Sequence, residues 1–179
     1  MASLRGQLLI AAPSLVDPNF VRTVILIAEH TDDGALGVVL NRPSESSIGD
    51  VVPDLSRLID PGDLVFAGGP VQPGGVMVLA EFHDPEDAAL PIEGALGFVA
   101  VEAEMEELEA ERARAFAGHA GWGPGQLESE LEEEAWFTAP FERADAFTDA
   151  PAELWSRVLL RKGGAYALVA RMPLDPSLN

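Results

Sequence analysis

The stretch from Gly6 to Pro43 constrains the fold most strongly, because it holds three apolar runs separated by two turns. The first run, Gln7–Ala12, is short and continuously apolar between a glycine and a proline, a pattern typical of a strand buried on both faces. The runs Thr23–Ala28 and Ala35–Leu40 are also strand-like, and the Asp33-Gly34 dipeptide between them is typical of tight hairpins. We therefore predict a β-hairpin at the centre of a sheet.

The remainder of the chain predicts an α+β domain, because strand-like and helix-like segments follow one another without a regular order. Further strands are predicted at Leu64–Ala67, Val76–Phe82, Leu96–Val101, Ala115–Ala120, Trp136–Thr138 and Tyr166–Ala170. Helices are predicted at Ser47–Ile59 with a break at Pro53, at Glu102–Arg114, at Gln126–Glu134 and after Pro151. No long-period repeat is present, and we expect one domain over residues 1–179 with a mixed sheet and flanking helices.

The charge balance excludes several classes of partner. The chain has 30 acidic and 11 basic residues, a formal net charge of −19 at pH 7. Such a surface repels phosphate backbones and anionic bilayers, so we expect neither general nucleic-acid binding nor membrane association. The absence of cysteine excludes disulfides, thiolate nucleophiles and cysteine-ligated metal centres. The apolar run near the N-terminus is too short for a secretion signal, and we expect a soluble cytoplasmic protein.

Five polar residues lie where the first strands end. Asp17, Asn19 and Arg22 belong to the turn after the first strand, and Asn41 and Arg42 follow the last strand of the hairpin. Two arginines on one rim would form a local anion-attracting spot in an acidic protein. The alternative is structural, because turn aspartates commonly bond nearby backbone and the Asp17–Arg22 pair would then lock the loop. Loop locking is the favoured interpretation of that pair.

Two glycine-rich segments complete the candidate site. Gly68 and Gly69 follow a strand, as phosphate-binding loops do, but they lack the lysine and the glycine spacing of such loops. A bend where two backbones pass closely is the better interpretation. The stretch containing Trp122, Gly125 and Gln126 leads into a predicted helix. Its backbone amides could hold an anion, or the loop could simply pack tightly under the tryptophan, and the sequence favours neither.

No arrangement of side chains predicts catalysis or metal binding. His30 ends the first strand of the hairpin, where a capping or turn role is favoured over a catalytic one, and His119 lies in the second glycine-rich stretch. The glutamates of 102–111 and 128–134 are typical of a solvated face when no histidine is near. No Ser-His-Asp or His-x-x-x-His arrangement occurs, and we expect no metal and no cofactor.

Several ordered blocks of this sequence are shared with one bacterial family. They are the opening Gly6-Gln7-Leu8-Leu9-Ile10-Ala11 with Asp17-Pro18-Asn19-Phe20, then Leu40-Asn41-Arg42-Pro43, Gly68-Gly69-Pro70-Val71, and the stretch from Ala120 to Glu128 with Trp136. On these blocks the chain resembles the YqgE/AlgH family nearly end to end. The resemblance implies a compact α+β fold with a bent, barrel-like mixed sheet. It implies no reaction, because the family is uncharacterised and its label of transcriptional regulator comes from one member linked to alginate regulation.

We therefore expect a non-catalytic regulatory or binding protein that recognises a small anionic ligand or a protein partner. The predicted site comprises Asp17, Asn19, Arg22, Asn41, Arg42, Gly68, Gly69, Trp122, Gly125 and Gln126. The alternative is an enzyme acting on a nucleotide or phosphoester, with His30 or His119 as general base and an arginine clamping the anion. Direct DNA binding would need a basic face, which the few basic residues on the predicted helices do not supply.

Overall fold

The structure is a computed structural model that describes residues 2–100 and 107–174. The strands are β1 Gln7–Ala11, β2 Val24–Thr31, β3 Gly34–Val39, β4 Pro43–Ser47, β5 Leu64–Ala67, β6 Val71–Phe82, β7 Leu90–Glu93, β8 Leu96–Ala100, β9 Ala110–Trp122 and β10 Trp136–Pro140. The α-helices are α1 Ile48–Val51, α2 Gln126–Glu132, α3 Arg143–Ala146, α4 Leu154–Lys162 and α5 Tyr166–Val169. Short 3-10 helices cover Pro53–Arg57, Pro85–Asp87 and Pro151–Glu153.

The strands form one large bent sheet in a single α+β domain. Its main path is β10-β1-β2-β3-β9-β6-β8-β7, and every neighbouring pair along this path is antiparallel. β5 pairs in parallel with β9 and antiparallel with β4, so the sheet is mixed. The sheet bends until β7 approaches the start of β1, where a Cβ atom on Gly6 would lie 3.8 Å from the Ile92 carbonyl oxygen. In the described part of the chain β10 and β7 do not pair, so the bent sheet stays open.

The predicted hairpin is confirmed and lies near the middle of this path. β2 and β3 pair in register from Ile25–Val39 to Thr31–Gly34, with an irregularity after Ile27. Gly34 follows the tight turn with a φ of 132°, a backbone angle that residues with a Cβ atom seldom adopt. Since Thr31 pairs with Gly34, the two turn residues are Asp32 and Asp33; the Asp33-Gly34 signal therefore located the hairpin, and the register places Gly34 as the first residue of β3.

The central strands are continuously apolar because both faces of the sheet are covered. Leu8 and Ile10 of β1 pack into a cluster that includes the buried apolar stripe of α4. Leu9 of β1 and Ile25 of β2 face the opposite side and pack with Leu127 of α2. Since side chains alternate along a strand, a strand buried on both faces needs apolar residues at consecutive positions.

The helices are short covers on this sheet. The break that Pro53 predicts is confirmed, because α1 ends at Val51 and a 3-10 helix begins at Pro53. The predicted helix after Pro151 is also confirmed, and α4 with nine residues is the longest described helix. Within residues 2–100 and 107–174, no helix has the length and apolar character needed to cross a membrane.

The predicted last strand, Tyr166–Ala170, is wrong, because this segment forms α5. Tyr166 and Val169 both pack against the main core cluster, and Leu168 between them is 72% exposed. A spacing of three between these two partly buried residues fits one turn of helix rather than a strand. The Tyr166 ring also meets Phe137 of β10 edge-on at 5.0 Å. In so short an apolar run the two periodicities are hard to tell apart.

The predicted helix Glu102–Arg114 is wrong over its C-terminal part. Residues 101–106 lie outside the described residues, and β9 begins at Ala110. There the chain pairs with β6, with Arg112 opposite Glu81 and Arg114 opposite Leu79. The partner strand supplies the backbone hydrogen bonds, and this tertiary pairing overrides a helical propensity that glutamate, alanine and arginine share.

Candidate functional site

The turn after β1 is closed by hydrogen bonds within the chain. We call residues 14–22 the connecting loop. The Asp17 carboxylate accepts a hydrogen bond from the Asn19 N–H at 2.8 Å, and the Asp17 carbonyl accepts from the Phe20 and Val21 N–H groups at 2.9 and 2.8 Å. Asp17 therefore bonds nearby backbone, the structural alternative that its position in a turn predicts.

Arg42 spans the connecting loop from the other side. Its Nη1 donates to the carbonyls of Pro18 and Asn19 at 2.9 and 2.8 Å, and its Nη2 donates to the carbonyl of Val21 at 3.0 Å. Burial lowers the pKa of the guanidinium, and the charge of Asp17 partly opposes that shift. The loop is thus locked mainly by Arg42, whose donors satisfy three carbonyls that no regular structure would pair.

Asn41 continues the sheet where β3 ends. Its Oδ1 accepts from the Val24 N–H at 3.0 Å and its Nδ2 donates to the Arg22 carbonyl at 2.8 Å. The side-chain amide thereby takes the place of a neighbouring strand for the first residues of β2. Both of its polar groups are engaged within the chain.

Arg22 reaches away from the connecting loop toward the C-terminal segment. Its Nη2 donates to the carbonyls of Met172 and Pro173 at 2.9 and 2.7 Å, and its guanidinium carbon lies 3.9 Å from the centre of the Trp155 ring. The residue adopts a φ of 57°, a left-handed conformation that is rare for an arginine. Burial lowers the pKa of this guanidinium. No ion pair joins Asp17 to Arg22 among the described residues.

A cavity of about 340 Å³ opens beside this guanidinium, and we call it the Arg22 cavity. Its lining comprises Val21, Arg22, Ala152, Trp155, Ser156 and Leu174. Trp155 is held in place because its Nε1 donates to the Ala11 carbonyl at 2.9 Å. The cavity therefore combines a fixed cation, a rigid aromatic wall and apolar side chains, the mixture found in small-ligand sites.

Gly68 and Gly69 lie where two backbones cross. A Cβ atom on Gly68 would overlap the Gly118 carbonyl oxygen, and one on Gly69 would overlap the His119 carbonyl group. The Gly68 N–H donates to the Ala117 carbonyl at 2.8 Å, and its carbonyl accepts from the Val39 N–H at 2.9 Å. The interpretation as a close backbone approach is supported, since these peptide groups bond to protein rather than point at a ligand.

The loop before α2 packs against its own helix. The Nε1 groups of Trp122 and Trp136 both donate to Glu130 Oε2, at 2.9 and 2.8 Å, and Gln126 Nε2 donates to Glu130 Oε1 at 2.9 Å. Gln126 also accepts from the Gly123 N–H at 3.0 Å, and Gly125 precedes the helix with a φ of 73°. The tight-packing alternative accounts for these contacts, because the side chain of Gln126 occupies the loop amide nearest to it.

The histidines do not join the arginines. His30 Nδ1 accepts from the Leu4 N–H at 3.0 Å, which leaves its Nε2 to bond Glu128 at 2.8 Å. Hydrogen bonds to its own backbone N–H and to His30 lower the pKa of the Glu128 carboxyl. His119 lies on β9 opposite Val71 and lines a different cavity from Arg22. The predicted helix face at 128–134 therefore does have a histidine near it, His30.

The predicted site residues thus separate into three groups. Asp17, Asn19 and Arg22 form one with Asn41 and Arg42, which bond to the connecting loop and the start of β2. Gly68 and Gly69 lie at the backbone crossing, and Trp122, Gly125 and Gln126 form the third group. Aromatic rings join the first group to the third. Phe20 of the loop meets Trp136 edge-on at 5.7 Å, and Trp136 meets Trp122 at 6.1 Å. Among the described residues, no three histidine, aspartate or glutamate side chains are grouped closely enough to hold a metal ion.

The sequence does not predict the roles of two residues. Trp155 belongs to the apolar stripe of a predicted helix, and in the structure the Arg22 guanidinium stacks on its indole ring. Glu130 was grouped with the solvated glutamates, although it joins two tryptophans. The only signal for Glu130 is its spacing of four from Gln126 on a predicted helix, which is too common to single out one contact.

Comparisons with known proteins agree with this architecture. A family model described as AlgH-like matches residues 8–167. The chain is 46% identical to a UPF0301 protein of Streptomyces coelicolor, covering 100% of this chain and 97% of that protein. It is 37% identical to a UPF0301 protein of Chlorobaculum tepidum, covering 97% of this chain and 95% of the relative.

Two solved structures share the fold. The crystal structure of protein DIP2367 from Corynebacterium diphtheriae superposes with a TM-score of 0.83 at 30% identity, covering 96% of this chain and 94% of that one. The solution structure of AlgH from Pseudomonas aeruginosa superposes with a TM-score of 0.74 at 32% identity, covering 97% of both chains. The family expected from the sequence blocks is confirmed, and the chain belongs to the AlgH-like family.

Proposed function

We propose that this protein is a non-catalytic binding protein that recognises a small anion, a carboxylate or a phosphate group, through Arg22. The observation that carries the proposal is the Arg22 cavity itself. There a guanidinium is partly buried and stacked on Trp155. No carboxylate of residues 2–100 or 107–174 forms an ion pair with it, although the chain carries 30 acidic residues.

The geometry leaves hydrogen-bond donors for a ligand. A guanidinium has five N–H donors, and the described contacts of Arg22 all involve Nη2. The two carbonyls engage both N–H groups of Nη2, so Nη1 and Nε remain for a ligand, and each can donate to one anion oxygen. Stacking on Trp155 keeps the guanidinium plane oriented, and charge-assisted hydrogen bonds of this kind suit an oxygen of a carboxylate or phosphate. The apolar remainder of the lining favours an anion attached to a small apolar body.

The enzyme alternative has less support. A general base must come within hydrogen-bond reach of the reacting group, directly or through one water. In the described part of the chain no histidine lines the Arg22 cavity. His30 is engaged by Leu4 and Glu128, and Arg42 spends its donors on the connecting loop. A regulatory role would then follow from ligand binding rather than from contact with DNA.

A thermal-shift screen tests the proposal. Phosphate, citrate, adenosine monophosphate and ribose phosphate are the probes, with Arg22→Gln and the matched control Arg5→Gln, which removes the same charge from an exposed residue. A ligand present at roughly 100-fold its Kd should raise the Tm of wild type by about 5 °C. We expect Arg5→Gln to keep that shift and Arg22→Gln to lose it.

A second variant separates binding from folding. Arg22→Lys keeps the charge but loses the planar guanidinium that stacks on Trp155, so we expect it to fold and to bind the same anion at least about tenfold more weakly. If no probe stabilises the wild-type protein, or if Arg22→Gln responds as strongly as Arg5→Gln, the proposal is wrong.

A further inference from the structure

A second cavity lies beside the backbone crossing, where His119 is part of its lining. It has a volume of about 580 Å³, within the range of small-ligand sites, and we call it the His119 cavity. Its apolar walls include Val51 and Val52 from the end of α1, and Val76 and Met77 from β6. Val51 is 52% exposed, which leaves an apolar side chain of appreciable size facing solvent at this opening.

The described part of the lining carries no charged side chain. Aspartate, glutamate, lysine and arginine make up 23% of the chain, yet none of those in residues 2–100 and 107–174 lines this cavity. The polar side chains of the described lining are those of His119 and Gln72. A charged ligand would lose its hydration here without gaining a counter-charge, so the lining discriminates in favour of neutral molecules.

The His119 side chain keeps its hydrogen-bonding capacity. No described residue bonds its ring, and burial lowers its pKa, so the imidazole is neutral at neutral pH. A neutral imidazole offers one N–H donor and one nitrogen acceptor. The backbone of His119 is held on two sides. Val71 pairs opposite it, and Gly69 passes so close that a Cβ atom on Gly69 would overlap the His119 carbonyl group.

Gln72 presents a second polar group from a strained backbone. It has a φ of 47°, inside an irregular segment of β6 where pairing with β9 jumps from Val71 to Val76. Left-handed non-glycine residues recur at ligand clamps, where surrounding structure maintains the strain. Gln72 and His119 thus supply an amide and an imidazole to one apolar space.

We propose that the His119 cavity binds a small neutral molecule with an apolar body and one carbonyl, amide or hydroxyl group that hydrogen-bonds His119. This site is separate from the Arg22 cavity and takes the opposite class of ligand. The uncharged walls that the described residues form, and the imidazole that none of them engages, support the same chemistry.

A matched set of six-membered-ring probes tests this with the full chain. Cyclohexanecarboxamide is the expected ligand, and cyclohexanecarboxylate and cyclohexylammonium share its ring but carry a charge. In two-dimensional amide NMR we expect the carboxamide to shift the resonances of Gln72, Val76 and His119 with a millimolar Kd. The two charged probes should bind at least about tenfold more weakly, the factor that 1.4 kcal/mol represents.

Variants complete the test. His119→Phe keeps a ring but removes the hydrogen bond, and we expect it to weaken carboxamide binding about tenfold, whereas His83→Phe, at an exposed histidine outside the cavity, leaves binding unchanged. Arg22→Gln should also bind the carboxamide normally, which distinguishes this site from the proposed anion site. The inference is overturned if the carboxamide shifts none of these resonances, if the carboxylate binds as well, or if His119→Phe binds like the wild type.

Discussion

The connecting loop and the His119 cavity both contain polar side chains, but these side chains differ in whether they form hydrogen bonds within the chain. In and beside the loop, the side chains of Asp17, Asn41 and Arg42 all form their hydrogen bonds with backbone groups of the chain. Beside the cavity, the His119 ring has no bond to a described residue, and it sits among apolar side chains. The loop side chains therefore contribute to stability, while His119 remains available to a ligand.

The comparison shows that the density of polar residues in a sequence segment is a poor guide to a binding site. Polar side chains cluster in turns because turns leave backbone groups to satisfy, and the 14–22 turn is such a case. A binding group is one whose capacity remains unused after the chain has folded. Arg22 is intermediate between Arg42, whose guanidinium bonds three carbonyls of the loop, and His119, whose ring bonds no described residue. It bonds two carbonyls and also lines a cavity.

Among the substitutions that test this comparison, Arg42→Gln should have the largest effect on stability. The substitution removes the three hydrogen bonds that lock the connecting loop, and we expect a loss of about 3 kcal/mol in the free energy of unfolding. Urea denaturation measures the loss, with Arg5→Gln as a control expected within about 0.5 kcal/mol of wild type. A loss no greater than that of the control would show that the loop does not depend on Arg42.

Glu130 of α2 provides an intermediate case, since it accepts from the indole of Trp122, which lies on the same strand as His119. Glu130→Ala leaves two partly buried indole N–H groups without their acceptor, and we expect it to cost about 2 kcal/mol. Glu130→Gln keeps an oxygen acceptor and should cost about half as much. Tryptophan fluorescence during urea unfolding measures both, and Glu132→Ala is the control on the exposed face of α2. Equal losses from Ala and Gln would exclude the indole bonds as the cause.

His119→Gln should have the smallest effect on stability. Because no described residue bonds the ring, we expect a change below about 0.5 kcal/mol at neutral pH. Burial holds the folded-state pKa of His119 below its ordinary value of 6.5, so the unfolded chain binds the proton more readily. Wild type should therefore lose stability relative to His119→Gln as the pH falls below 6.5, and thermal unfolding at several pH values measures the difference. A difference that grows in the opposite direction would contradict the neutral imidazole.

Much of the fold was predictable because its central signals are local. The Asp33-Gly34 turn and the continuous apolar runs of β1 and β2 predicted the hairpin, and Pro53 predicted the interruption after α1. The segments that were predicted wrongly depend on distant partners. β9 is a strand because β6 pairs with it, and α5 is helical where Tyr166 and Val169, both partly buried, pack against the core.

The candidate site divides in the same way. The turn chemistry of Asp17 indicated a locked loop, but the predicted Asp17–Arg22 pair does not form among the described residues, and the loop carbonyls bond to Arg42 instead. No sequence pattern joins Arg22 to Trp155, which lies 133 positions along the chain, or leaves His119 among valines from α1 and β6. These neighbours meet only when the sheet bends and α4 covers it.

By itself, the sequence determined the family, the α+β class, the central hairpin and the chemistry of its turns. These features follow from backbone preferences and from apolar periodicity over a few residues. Only the tertiary structure decided which polar side chains form hydrogen bonds within the chain and which remain available to a ligand. That outcome depends on hydrogen-bond partners and burial supplied by segments far apart in the chain, and no local pattern records either of them.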